Sequence, residues 1–223
     1  MEKFFSPSSV LPPMLGRKIE GVSTGFHYVS EKPGYAQAYL QPEILRRLGA
    51  KKSRVLDIGC GNGAMAAGLS QQGHEVWGCD WDQAGVDLAN RRQTGRFVQW
   101  DLNRPVEEFP FSGFEAVIST EVIEHLFYPR KLFQLARHVL PAGGQLIVTT
   151  PYHGYLKNLV LSILNKWDWH HHVDHDGGHI KFFSVATLRK MMEEEGFTVE
   201  GWQGASRFPG LWKSMIVWGQ KSG

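Results

Sequence analysis

The chain has 223 residues, 42% of them hydrophobic and 21% charged, with a formal net charge of +2. That suits one well-buried α/β core with small additions. It argues against a disordered chain, and the two cysteines, Cys60 and Cys79, argue against a disulfide scaffold. Near-neutral charge without a long basic run gives no electrostatic case for nucleic acid. No apolar stretch approaches bilayer-spanning length and the opening MEKFFSP lacks the apolar run of a leader peptide, so a cytoplasmic location is expected.

Residues 1–33 are rich in Pro, Gly and Ser, and Pro7, Pro12, Pro13 and Pro33 argue against a long regular element. Aromatic residues close this arm (Phe26, Tyr28, then Tyr35). Residues 34–48 place Tyr39, Leu40, Ile44, Leu45 and Leu48 at helical spacing, with Pro42 predicting two helices or a restart. Strands are expected at 53–58, 75–80, 96–101, 114–120 and 145–150, separated by helices at 63–72, 82–91 and 129–140. Strands alternating with helices predict a mainly parallel sheet covered on both faces.

Beyond residue 151 the pattern changes. Residues 155–169 read as a helix with Leu156, Leu159, Val160, Ile163 and Leu164 on one face, expected to pack on its own domain. Peripheral contact of that face with a membrane surface is the alternative. A histidine-rich loop follows (His170, His171, His172, His175, His179), then a helix capped by Ser184, and two final strands at 197–202 and 212–218.

The densest signal lies at 54–63, RVLDIGCGNG. A buried strand runs into a turn in which Gly59, Gly61 and Gly63 permit positive φ and close approach to a ligand. The helix that follows offers unpaired N–H groups. By spacing alone this is a nucleotide-type site, and a loose dinucleotide fingerprint, with a dehydrogenase reading, also fits. A second strand ends at Asp80, about 20 residues past the loop, the usual distance to a ribose-binding carboxylate.

VLDIGCGNG, then WGCD, QWDL, FEAVISTEVIEHL and LPAGGQLIVTTP, in that order, resemble the class I S-adenosylmethionine-dependent methyltransferases over residues 54–197. The resemblance implies a Rossmann-like α/β fold: a seven-stranded sheet of order 3-2-1-4-5-7-6 with a terminal antiparallel hairpin and helices on both faces. It implies residues 1–50 as an arm and helix covering the site, and residues 51–223 as the cofactor-binding domain, with 152–183 inserted as a cap over the substrate. It also implies S-adenosyl-L-methionine as cofactor. Asp57, Gly59, Cys60 and Gly61 would then serve the methionine portion, Asp80 the ribose, Trp81, Asp101 and Leu102 the adenine, and Thr120 the sulfonium end.

Glu121, Glu124 and His125 directly follow the fourth strand, and i, i+3, i+4 spacing would put them on one helical face beside the methyl donor. Two readings stay open. The carboxylates favour a helix N-terminus while His125 acts alone as general base, or the three bind a divalent cation. The element resembles that of the ubiquinone-biosynthesis O-methyltransferases and of small-RNA terminal 2′-O-methyltransferases. That resemblance nominates Glu121, Glu124, His125 and His179 as ligands of Mg²⁺, Mn²⁺, Fe²⁺, Co²⁺ or Zn²⁺, with His175 as an alternative to His179. His125 and Glu121 are the expected catalytic residues and His153, after the fifth strand, a reserve base. The resemblance to the ubiquinone-biosynthesis group makes O-methylation of a small molecule the leading expectation, and Trp167, Trp169, Phe182, Phe183 and Trp212 suit a flat or apolar acceptor. N-methylation, RNA 2′-O-methylation and a non-catalytic cofactor-binding role are the alternatives.

Overall fold

The computed structural model describes residue 30 and residues 32–171 and 178–223, except the side chain of Trp169. The arm at 1–29, with Phe26, His27 and Tyr28, and the loop residues His172 and His175 lie outside the described residues. The elements are α1 (Gln37–Leu48), β1 (Arg54–Ile58), α2 (Ala64–Gln71), β2 (Glu75–Asp80), α3 (Gln83–Arg91), β3 (Gly95–Gln99), β4 (Ala116–Thr120), α4 (Arg130–Val139), β5 (Gln145–Pro151), α5 (Tyr155–Ile163), α6 (Trp167–His171), α7 (Val185–Glu194), β6 (Phe197–Ala205) and β7 (Ser214–Lys221).

The seven strands form one sheet of order β3-β2-β1-β4-β5-β7-β6. β1 to β5 are parallel, and β7 runs antiparallel between β5 and β6. The period-2 alternation of each central strand splits its apolar residues between two cores. Leu56, Val117, Leu146 and Val148 pack with Leu132 and Phe133 of α4 and Leu188 and Met192 of α7. Val55, Ile118 and Ile147 pack on the opposite face with Leu40 and Ile44 of α1, Leu69 of α2 and Val86 of α3. Asp82 caps α3 by accepting from the Gly85 N–H, and Ser184 with Thr187 forms a capping box on α7.

Three local expectations are corrected. Pro42 does not divide the first helix; it lies on the exposed side of α1, where the carbonyl it leaves unpaired reaches water. Residues 155–169 are not one helix. α5 ends at Ile163, Asn165 takes φ +51°, and α6 restarts at Trp167. Nor does the apolar face of α5 pack inward. Leu156, Leu159, Ile163 and Leu164 are exposed, and the residue α5 buries is Lys157. Periodicity identifies a face but not the direction it points.

The turn from β1 into α2 depends on contacts only glycine permits. Gly63 has φ +71°, and a Cβ built on it would lie 2.7 Å from the Cβ and 2.9 Å from the Cα of Ala89 in α3. Gly63→Ala therefore meets both an unfavourable backbone and a backbone clash, with an expected loss of about 2 kcal/mol or more in urea unfolding. A loss within about 0.5 kcal/mol would show that α3 can move away freely.

Candidate active site

Asp57, second from the end of β1, is fully buried, and neither carboxylate oxygen has a hydrogen-bond partner among the described residues. Burial, with Asp80 nearby, pushes its carboxyl up to about 7. An apolar core does not leave an acid in that state without a reason. Asp57 faces a cavity of about 140 Å³ lined also by Gly59, Cys60, Asn62, Ala64 and Met65 of the glycine loop and α2, by Gly34, Ala36, Gln37 and Leu40 of the first helix and its approach, and by Thr120 and Glu121. An orphaned buried acid beside the N-terminal turn of α2 fits the two ends of a zwitterionic amino acid: an ammonium on Asp57 and a carboxylate on backbone N–H groups.

Asp80, Trp81, Asp101 and Leu102 continue along the same sheet edge, at the ends of β2 and β3. Asp80 Oδ2 accepts from the Gly61 N–H at 2.8 Å and Oδ1 from the Asp82 N–H at 2.9 Å. The Trp81 N–H also bonds this carboxylate, which retains acceptor capacity for a ribose hydroxyl. Burial raises its pKa against the lowering effect of these bonds. Trp81 is exposed and Leu102 half-buried. Asp101 is exposed and its Oδ1 closes a turn on Asn103, accepting from the backbone N–H and from Nδ2, both at 2.9 Å.

The segment Glu121 to His125 is not the α-helical turn expected. Glu121 has φ +54°, and only Ile123–His125 form a single 3-10 turn. Val122 occupies the space over Gly59: a Cβ on Gly59, itself at φ +80°, would lie 2.3 Å from Val122 Cγ2. The cofactor loop and the post-β4 segment are thus in direct contact. The kink sends the two glutamates to different places. Glu121 accepts from Thr149 Oγ1 at 2.8 Å and from Ser214 Oγ at 3.0 Å, while its own N–H reaches the Thr149 carbonyl. Tyr39 of α1 bonds Ser214 at 3.0 Å. Burial raises Glu121 to about 7.

Glu124 is fully buried; Oε2 accepts from Thr150 Oγ1 at 3.0 Å, and Oε1 has no hydrogen-bond partner among the described residues. Burial, then the neighbouring Glu121, push its carboxyl well above the usual range. The Glu124 carbonyl accepts the N–H groups of Ile180 and Lys181, which brings His179 within 3.9 Å of Oε1. One ligand atom from each of Glu124, His125 and His179 lies within 4.8 Å of the others, the geometry of a candidate cation site. His125 Nδ1 is 3.3 Å from the Gly178 carbonyl, and the two imidazoles meet edge to face at 4.9 Å. Of the four nominated ligands, three converge; Glu121 is held elsewhere by its two hydroxyls.

His153 stacks on His171 at 5.5 Å and meets Phe182 at 5.1 Å. Burial and the Lys157 ammonium bring His153 down to about 3, so at neutral pH it is an uncharged, weakly basic imidazole. Lys157 donates to the Tyr152 carbonyl at 2.8 Å and is itself brought down to about 8 by burial.

Several site residues escape a reading of the sequence. Asn62 Nδ2 donates to the carbonyls of Ser30 and Lys32, tying the end of the arm to the glycine loop. Thr149, Thr150 and Ser214 hold the two glutamates. The signal was the polar pair TT within the otherwise apolar strand LIVTT; Ser214 and Lys157 carry none.

Because the folded Asp57 carboxyl titrates near 7 and an unfolded one near 3.8, the folded state holds a proton the unfolded state has lost between these values. Stability from this group therefore falls as pH rises through that window and levels off above pH 7. Asp57→Asn is expected to flatten this part of the profile and to raise stability at pH 8 by about 2 kcal/mol in thermal or urea unfolding, while weakening S-adenosylmethionine binding at least tenfold by calorimetry. An unchanged affinity would remove Asp57 from the ligand.

A family model described as a methyltransferase domain matches residues 34–201. Ubiquinone biosynthesis O-methyltransferase of Pseudomonas aeruginosa is 30% identical over 112 residues, 48% of each chain. The protein of that name from Alkalilimnicola ehrlichii is 31% identical over 106 residues, 46% of this chain and 43% of that one. The matches span about half the length of these relatives. Among solved structures, the PH0226 protein of Pyrococcus horikoshii superposes with a TM-score of 0.65 at 18% identity, over 84% of this chain and 90% of that one. Magnesium protoporphyrin IX methyltransferase from Synechocystis, with bound S-adenosylhomocysteine, gives 0.61 at 17% identity, over 82% and 80%. These likenesses show the fold; the family match, together with the glycine loop, the buried Asp57 and the cavity between them, shows that the chain belongs to the S-adenosylmethionine-dependent methyltransferases.

Proposed function

We propose that this protein methylates a hydroxyl of a small, flat acceptor, with a divalent cation held by Glu124, His125 and His179. The observation that carries the reading is the convergence of those three ligand atoms around the unpartnered Glu124 Oε1, on the segment that also packs against the cofactor loop. One carboxylate oxygen and two imidazoles favour Mn²⁺, Fe²⁺, Co²⁺ or Zn²⁺ over Mg²⁺. A cation offsets the cost of keeping Glu124 ionised away from water. When bound, it supplies Lewis acidity that lowers the pKa of a coordinating hydroxyl.

The protein's own groups do the rest. Asp57, the glycine loop and Asp80 hold the cofactor, and the Thr120 carbonyl borders the methyl-bearing end. The exposed edges of Phe182 and Trp167, with His153 and His171, offer a flat wall for the acceptor. In-line attack needs alignment more than chemistry, because the sulfonium is already an activated donor. The proton of the acceptor hydroxyl leaves to solvent or to an imidazole at the site. The likeness to O-methyltransferases over their matched half supports an oxygen nucleophile. The two free, buried cysteines support a reducing compartment, and no helix among the described residues is long and apolar enough to cross a membrane.

The test is methyl transfer to a panel of catechols after chelation, with Mg²⁺, Mn²⁺, Fe²⁺, Co²⁺ or Zn²⁺ then restored one at a time. Loss of at least 90% of the activity in chelator and its return with a transition metal is expected, as is metal content near zero in His179→Ala and in Glu124→Gln. Full activity in chelator would sink the metal reading and leave His125 as a lone base, with amine acceptors the next to try. His125→Ala is expected to lower kcat at least 100-fold in either case while cofactor affinity changes less than threefold.

A further inference from the structure

The cavity that Asp57 faces has a charge pattern that its volume alone does not explain. Among the described residues that line it, the ionisable side chains are two acids, Asp57 and Glu121, together with Cys60, and none is a lysine, arginine or histidine. Asp57 lies on the β1 side and Glu121 follows β4 directly, one strand over. Asp57 answers the ammonium of the cofactor's amino acid. S-adenosylmethionine carries a second positive charge, its sulfonium, and a second acid faces the same space.

Glu121 is built for a fixed position. Its backbone is in the left-handed region at φ +54°, which a long side chain adopts only where the surroundings hold it. Its N–H is bound by Thr149, and its two carboxylate oxygens take one hydroxyl each, from Thr149 and from Ser214. Both donors are neutral hydroxyls, so they orient the carboxyl group without supplying a cation to pair with it. Tyr39 steadies Ser214 from α1. The nearest cation acting on the carboxylate is Lys157, whose own ammonium is bonded to the Tyr152 carbonyl. The three ligand atoms of the cation site do not include Glu121.

We propose that Glu121 is the counter-charge of the cofactor's sulfonium, a cofactor-binding residue that discriminates the charged methyl donor from its neutral product. This rests on the reading of the cavity as the methionine end of the cofactor site. On transfer, the acceptor oxygen gains the methyl group and loses its proton, the S–CH₃ bonding pair stays on sulfur, and the sulfonium becomes a neutral thioether. The attraction to Glu121 then ends, which favours exchange of product for a fresh donor. A charge partner in a partly enclosed cavity acts more strongly than the same pair in solvent.

The test is calorimetric binding of three ligands to wild type and to Glu121→Gln: S-adenosylmethionine, sinefungin, which carries an ammonium in place of the sulfonium, and S-adenosylhomocysteine. The substitution is expected to weaken the first two about tenfold and to leave the third within about twofold. Because Gln at φ +54° could unsettle the fold, the pair Glu121→Asp and Glu121→Asn serves as well, since both residues tolerate that backbone and differ only in charge. Asp is expected to keep the preference for the charged ligands and Asn to lose it. Equal weakening of all three ligands would overturn the proposal, and so would an unchanged preference accompanied by lost metal, which would return Glu121 to the cation site. If wild type binds none of the three, the reading of the cavity itself fails.

Discussion

Asp57 and Glu124 are buried and Glu121 half-buried at the carboxyl ends of two neighbouring strands, and the groups that hydrogen-bond them within the described structure are neutral hydroxyls or none at all. Charge kept from water without a counter-ion is among the most costly arrangements a fold can hold. Each acid is accordingly shifted toward its protonated form. A positively charged group beside any of them would offset a cost the fold carries. Asp57 and Glu121 share a cavity suited to a ligand with two separated positive charges, and Glu124 turns toward two imidazoles instead. Ligand binding and stability are then linked through the same atoms.

What separates the three acids is one kinked segment. A regular helix after β4 would have carried Glu121, Glu124 and His125 on one face, all reaching the same point. The left-handed Glu121 breaks that register, so that Glu121 lines the cavity shared with Asp57 while the following 3-10 turn delivers Glu124 and His125 to the candidate cation site. Val122, between them, fills the space that Gly59 leaves by lacking a side chain. Val122 thus joins the glycine loop to the segment carrying the candidate cation ligands by direct van der Waals contact.

The sequence makes most of the scaffold legible, because strand alternation and glycine punctuation are local. Val55, Leu56 and Ile58, or Leu146, Ile147 and Val148, divide between the two cores as their spacing requires. The strand order follows from the family resemblance, not from periodicity. Where the sequence misleads, the deciding contact is distant in the chain. Nothing near Glu121 announces that Thr149 and Ser214 hold its carboxylate 28 and 93 residues away. Pro42 looks like a helix break because its exposed position on α1 is a tertiary fact. α5 has the apolar period of a packed helix, yet Lys157 is its buried residue, since the carbonyl of Tyr152 and the charge of Glu121 lie on the inner side.

That inverted helix also bears on the acceptor. A lysine turned inward beside Glu121 keeps His153 and His171 uncharged, because burial and a nearby ammonium act on both in the same direction. The imidazoles of His153 and His171 stack on each other and meet Phe182 edge to face, a weakly polar surface suited to an aromatic ring more than to an ion. His125 and His179 have a different neighbour: they flank the Glu124 carboxylate, with one ligand atom of each of the three within 4.8 Å of the others. The placement of a single lysine and a single glutamate thus gives the histidines of one region two different surroundings, a division invisible in the run of histidines itself.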